Sequence, residues 1–317
     1  ISSDKSLSIS FLLLSIFHKQ LIHNNLLFGK FTDIITTYID MLHSIDIIFI
    51  KEKLILLYKV FTEEFIKKDI ASHIICKIYH FLFSLLLQFE QYPCLAELSS
   101  EPLLLMLKMQ GSVITIIHDI MNNKIDKICD IIKNSNIIMI FNVLTEVFRT
   151  IRIDSKIKQK IYLVTLTERI IKEVDARNDT FVTNGVQLLL ALLDQVNKIS
   201  DPLSLSEVEE VLSHFALSLS KNNTVLFSDD ILRIVIKVNE LYQSPSQLSI
   251  LILPYIPQCI KEEGEVSELV YQYFISIIKY SNETFFLSLL SNIIEILLPC
   301  LDYKDEYSIT FTTSLLS

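Results

Sequence analysis

Apolar residues recur along this chain at the three-and-four spacing of an α-helix. Between 229 and 242, Ile231, Ile234, Val235, Val238, Leu241 and Tyr242 follow one face. Asp230, Arg233, Lys237 and Glu240 keep the same spacing on the other. Two stretches, 81–89 and 186–196, are apolar almost all round and so predict helices covered on several sides. Start signals are frequent. Ser204 with Glu207 and Ser206 with Glu209 have capping-box spacing, and Asp154-Ser155, Asp179-Thr180, Ser228 and Ser281-Asn282 are further N-cap candidates. Breaks are expected near Asn24-Asn25, Pro93, Pro102, Asn122-Asn123, Asn134, Asn178, Pro202, Asn222-Asn223, Pro245, Gly264 and Asn282.

These signals predict helices over 7–22, 27–44, 51–67, 69–91, 103–121, 124–133, 136–151, 156–175, 180–199, 205–220, 229–243, 247–262, 265–280 and 284–301, with a shorter one after 304. Two stretches, 45–50 and 137–141, are rich enough in Ile and Phe to form strands in isolation. Composition agrees with the helices. Only 4 Gly and 7 Pro occur in 317 residues, too few for the tight turns of sandwiches, barrels or doubly wound sheets. Half the residues are hydrophobic and 21% are charged, which excludes an extended disordered tail. The expected fold class is all-α.

Predicted helix starts recur at intervals of about twenty residues, so a helical pair repeats at about forty. In that period and pattern the chain resembles the armadillo/HEAT superfamily across nearly its whole length. The resemblance implies a right-handed α-solenoid of stacked helical hairpins, one continuous array over residues 1–317, each hairpin burying its apolar face on its neighbours. The recurring Pro and Asp-then-Arg/Lys positions of HEAT units and the repeated Gly of armadillo units are absent. A two-lobed irregular helical bundle is the alternative. Tryptophan is also absent. The Trp and Asn ladders by which armadillo importins hold basic peptides, and the Trp at the first turn of tubulin-binding HEAT domains, therefore have no counterpart here.

Charge changes the picture more than composition does. Residues 1–148 carry a balance of −2, residues 149–177 of +4, and residues 178–317 of −11, within a formal net charge of −9. The basic segment holds Arg149, Arg152, Lys156, Lys158, Lys160, Arg169, Lys172 and Arg177 and could meet phosphates or an acidic peptide. Acidic clusters at Glu207/Glu209/Glu210, Asp229/Asp230 and Glu262/Glu263/Glu265/Glu268 could attract basic cargo, or could stabilise the positive ends of the helices they open. The candidate partner-binding residues are Arg149, Arg152, Lys156, Lys158, Lys160, Lys172, Glu209, Glu210, Glu262 and Glu263.

Catalytic and cofactor motifs are missing. No G-x-S-x-G, G-x-x-x-x-G-K-[ST], G-x-G-x-x-G or H-E-x-x-H occurs, and Gly29, Gly111, Gly185 and Gly264 lie too far apart for a phosphate cradle. His73, Cys76 and His80 share a helical face with Lys77 and Ser84, but a structural zinc site needs four ligands and no fourth is evident. The five cysteines are scattered without a CxxC pair, which speaks for neither a disulfide framework nor a metal site. No apolar run is long enough for a membrane span, and 7–17 lacks a following cleavage site for a signal peptide. Three sequons, at Asn178, Asn222 and Asn282, are expected by chance in a chain this rich in Asn and Thr.

The first residue is Ile, and the chain is expected to be a piece of a longer protein. The function these observations predict is a non-catalytic, intracellular scaffold or adaptor, cytoplasmic or nuclear. It would bind protein segments through a solenoid surface, without cofactor or small-molecule substrate. One alternative is a nucleic-acid- or chromosome-associated protein using 149–177. That reading has against it a pI near 5.3 and few aromatics among the basic residues. A peripheral membrane trafficking adaptor is the second alternative.

Overall fold

The computed structural model describes residues 2–44, 48–66, 72–109, 113–222, 224–259 and 268–297. All regular structure among them is helical. The fifteen α-helices are α1 (Ser2–His23), α2 (Asn25–Ser44), α3 (Ile48–Ile66), α4 (Ser72–Leu86), α5 (Pro93–Met109), α6 (Ile114–Asn123), α7 (Ile125–Asn134), α8 (Ile138–Thr150), α9 (Lys156–Asp175), α10 (Asp179–Val196), α11 (Leu205–Asn222), α12 (Thr224–Tyr242), α13 (Gln247–Ile252), α14 (Glu268–Tyr280) and α15 (Glu283–Leu297). A 3₁₀ segment, Leu253–Cys259, continues α13. The chain divides into two compact units, 1–153 and 154–317.

In the first unit α1 packs on α2 and α3, α2 on α4, α3 on α5, and α5 on α4 and α8, so that alternate helices touch. α4 is the centre, with Ile75, Ile78, Leu82, Phe83 and Leu86 buried on one face. Its opposite face carries His73, Cys76 and His80, the two histidines exposed, as the periodicity requires. An edge-to-face aromatic cluster ties α2 to α3, with Phe28 and Phe31 centroids 5.5 Å and 6.2 Å from that of Phe65. Ion pairs from Lys77 to Asp40 and from Lys59 to Glu101 lock α4 to α2 and α3 to α5.

The second unit repeats the alternation. α9 packs on α10 and α11, α10 on α12, α11 on α12 and α13, and α12 on α14. α9 and α10 approach closely at Gly185, where a Cβ would stand 2.8 Å from Ile170 Cγ1. A buried polar cluster joins α12, α13 and α14. The Asn239 amide donates to Ser249 Oγ and Ser276 Oγ, both at 3.0 Å, and its oxygen accepts from the Ser246 backbone N–H at 2.8 Å. Tyr273 donates to the Ser249 carbonyl at 2.6 Å.

Helix ends follow local chemistry. Asn24 Oδ1 accepts from the N–H groups of Leu26 and Leu27 at the start of α2, and Asn282 Oδ1 accepts from Phe285 N–H at the start of α15. α9 ends in a Schellman arrangement. Asn178 N–H bonds the Glu173 carbonyl and Arg177 N–H the Val174 carbonyl, with Arg177 at φ 56°.

Two predicted helices need correction. The helix expected at 103–121 is α5 followed by α6, and α5 begins ten residues earlier, at Pro93. Pro93 opens the helix, where no N–H is needed. Pro102 is tolerated inside it because Leu95, Ala96, Leu103, Met106 and Leu107 are all buried by tertiary packing. The helix expected at 247–262 stops as α-helix at Ile252. Pro254 and Pro257 each remove an N–H, and the chain tightens into 3₁₀ turns. The strand-capable segment 137–141 is helical from Ile138. The segment expected after 304 and the gap at 45–47 lie outside the described residues.

Candidate partner-binding surface

The basic and acidic segments of the sequence meet each other in space. α9 and α11 pack side by side, and their first turns are brought level by the capping box at Ser204. There the Ser204 N–H donates to Glu207 Oε2 at 2.8 Å, and the Glu207 N–H returns a bond to Ser204 Oγ at 3.4 Å. The same Glu207 oxygen takes Lys156 Nζ at 2.8 Å. One turn along both helices, Lys160 Nζ reaches Glu210 Oε2 at 2.9 Å. Lys158, on the other side of α9, folds back to Asp154 at 2.9 Å. Glu209 turns the other way and accepts from the Gln247 N–H that opens α13.

The electrostatics follow from these contacts. Hydrogen bonds from Lys156 and from Ser204 pull the Glu207 carboxyl down from its ordinary 4.5 to about 2. The Lys156 ammonium is shifted upward, chiefly by its hydrogen bond to Glu207. Arg169 is absent from this surface. It is 4% exposed, pairs with Glu173 at 2.8 Å, and lies over the Phe181 ring at 4.4 Å, and burial lowers its pKa. Arg149 holds Glu146 one turn back at 2.7 Å. Arg152, Lys172 and Arg177 are exposed and make no ion pair among the described residues. Glu262, Glu263 and Glu265 lie outside the described residues. Glu268 opens α14 and accepts from Gln272 at 3.0 Å. Asp230 is turned inward from the surface, and burial raises its pKa.

Between Lys156 and Lys160 on one side of α9 and Lys158 on the other stand residues the charge pattern hides. Ile157 is 71% and Ile161 42% exposed, with half-buried Val164 on the same face of α9. The run Lys156-Ile157-Lys158-Gln159-Lys160-Ile161 alternates, and Gln159 is the residue buried, donating to the Gln195 carbonyl at 3.0 Å. An apolar pair, Ile157 and Ile161, between lysines on both sides of one helix is the signal a sequence reading could have used. The result is a small apolar centre flanked by ion pairs on both sides.

The remaining features offer less. A cleft of about 390 Å³ among α13, the 3₁₀ segment and α15 is lined by Ile250, Leu253, Pro254, Asn292, Glu295 and Ile296, in which Glu295 is the sole ionisable group among the described residues. Among the described residues no three His, Cys, Asp or Glu side chains group closely enough to hold a metal ion. Nor is any helix among them long and apolar enough to cross a membrane. No protein-family model, curated protein or solved structure matches the chain.

Proposed function

We propose that the chain is a non-catalytic scaffold that binds a protein partner on the α9–α11 surface. The observation that carries this reading is the exposed Ile157 and Ile161 inside a frame of ion pairs from Lys156, Lys158 and Lys160. An apolar centre with a polar rim is the anatomy of protein–protein contacts, in which a few central side chains dominate binding. The armadillo/HEAT-like reading of the architecture belongs to the same proposal. It is supported by next-but-one contacts from α1 to α5 in the first unit and from α9 to α14 in the second, as stacked hairpins require.

The nucleic-acid reading loses ground on the same geometry. Phosphate binding requires cations free to displace the counterions condensed on the nucleic acid, and three of the segment's lysines already hold carboxylates at 2.8 to 2.9 Å. The test is cross-linking mass spectrometry on the native protein, followed by repetition with Ile157→Asp and Ile161→Asp. A partner linked through Lys156, Lys158, Lys160 or Lys172 and lost from the two variants supports the proposal. A partner indifferent to both substitutions overturns the site. Salt-dependent binding of labelled DNA or RNA, abolished by reversing Lys156, Lys158 and Lys160, overturns the function.

A further inference from the structure

The cleft among α13, the 3₁₀ segment and α15 has an apolar side and a polar side. Ile250, Leu253 and Pro254 form one wall, and Ile296 stands on the other. Pro254 carries no N–H, so the chain tightens from α13 into 3₁₀ turns at this wall, and α15 packs on the 3₁₀ segment without closing the space. The polar side chains both come from α15. Asn292 and Glu295 are exposed and three residues apart, so they share one face of that helix. Neither side chain makes a hydrogen bond or ion pair among the described residues.

We propose that this cleft binds a small amphiphilic amine, with its apolar body on the Ile250, Leu253, Pro254 and Ile296 side and its ammonium at Asn292 and Glu295. Size selects a free small molecule. The cleft of about 390 Å³ falls within the range of small-molecule sites, which join apolar walls to a few convergent polar groups. A lysine offered by a partner protein has a stem of only four carbons and would leave most of that volume unfilled. Charge selects the cation. Glu295 is the sole ionisable lining group among the described residues, and residues 178–317 balance at −11, so cations are drawn to this part of the chain and anions repelled. Donor chemistry selects the amine. An ammonium carries three N–H donors, which the Glu295 carboxylate and the Asn292 amide oxygen can accept together.

The proposal is independent of the α9–α11 surface, and its test leaves that surface untouched. The chain contains no tryptophan, so one placed at the cleft is an unmixed reporter. Ile250→Trp alters a side chain that is already 37% exposed. Its fluorescence should shift saturably with n-octylammonium, with a dissociation constant of about 1 mM. Octanol and octanoate should bind about threefold more weakly or less, and Glu295→Gln in the same background should erase the preference. A reporter at Leu12→Trp, on the exposed apolar side of α1, should show no preference among the three probes. Titration calorimetry on the unaltered chain guards against damage by the reporter, since Glu295→Gln alone should weaken octylammonium binding about threefold. Equal affinity for the three probes at the cleft overturns the proposal, as does the lack of a saturable signal up to about 10 mM. Tighter binding of acetyl-Leu-Lys-Leu amide than of octylammonium overturns the assignment to a free amine.

Discussion

Asn239 is fully buried, and replacing it with the similarly branched but larger leucine removes the polar centre of the second unit. Four hydrogen bonds vanish: two from the amide to Ser249 and Ser276, and two accepted from the Ser246 N–H and the Ser249 hydroxyl. Their partners are not equally stranded. Ser276 keeps its donation to the Tyr273 carbonyl at 2.8 Å, and Ser249 can turn to Ser246 Oγ at 3.4 Å. The Ser246 N–H, at the start of α13, makes no other hydrogen bond among the described residues. A buried donor left without a partner costs about 1–3 kcal/mol, and the weakened hydroxyls add about 1 kcal/mol each. A buried leucine returns about 1–2 kcal/mol of transfer energy. The expected net loss for Asn239→Leu is about 2–3 kcal/mol.

The controls rank below it. Ser276→Ala removes one acceptor while the Asn239 amide retains Ser249, at a cost of about 1 kcal/mol, and Ser246→Ala, which loses a 3.4 Å contact, should cost under about 0.5 kcal/mol. A chain of two units need not unfold in one step, so the readout is hydrogen exchange resolved by peptide. Protection should fall over 239–252 and 270–280 and hold in 72–107. The reasoning fails if Asn239→Leu costs under about 0.5 kcal/mol, or if Ser246→Ala costs as much as Asn239→Leu.

Three further outcomes follow from single positions. Tyr79 is 0% exposed and its hydroxyl has no hydrogen-bond partner among the described residues, and burial raises its pKa far above the ordinary value. Tyr79→Phe keeps the ring stacked 6.0 Å from Phe83 and should raise urea stability by about 1 kcal/mol, where a loss would reveal a partner for the hydroxyl. Gly29 and Gly185 are both helical, yet Gly29→Ala meets nothing within 4 Å and should stabilise by about 0.5–1 kcal/mol. Gly185→Ala forces Ile170 aside, and an overpacking cost of about 1–3 kcal/mol cancels or outweighs the helix gain, so thermal melts should move apart for the two variants. Glu207 has a folded pKa near 2, below its ordinary 4.5, so its stabilising contribution is complete above pH 4.5 and lost as pH falls toward 2. Glu207→Gln should flatten the melting temperature across that window, and slopes identical to wild type would show that the Lys156–Glu207–Ser204 contacts carry no linkage.

Much of the fold was legible because most of the helices are amphipathic on their own. The interval 156–175 is bounded by the same residues in sequence and structure, with Ser155 at the N-cap position, though its side chain makes no cap bond, and the expected break at Asn178 just past the Arg177 turn. Where the reading slipped, a distant contact overrode a local preference. Pro102 reads as a stop, but burial around it outweighs the lost hydrogen bond. Ser206 and Glu209 have capping-box spacing, yet Glu209 caps α13 instead, a partner 38 residues away that no local rule supplies. Pro254 and Pro257 gave the right kind of warning, and the helix placed across them had ignored their missing N–H groups.

The candidate site was less legible for a different reason. In sequence, the lysine cluster and the glutamate cluster lie fifty residues apart, and nothing local says that the glutamates, which could attract basic cargo or stabilise helix ends, face the lysines. Pairing α9 with α11 makes them one surface, because 156 meets 207 and 160 meets 210 when the helices lie side by side with matched turns. Such pairing spends the charge internally and leaves the uncharged residues between the lysines as the part open to solvent. The specificity of that surface then resides in Ile157 and Ile161, and its electrostatics in how firmly the surrounding pairs hold. Raising the salt concentration should loosen those pairs while leaving the apolar centre intact. Partner binding there should therefore resist salt, the opposite of what a basic segment read alone would predict.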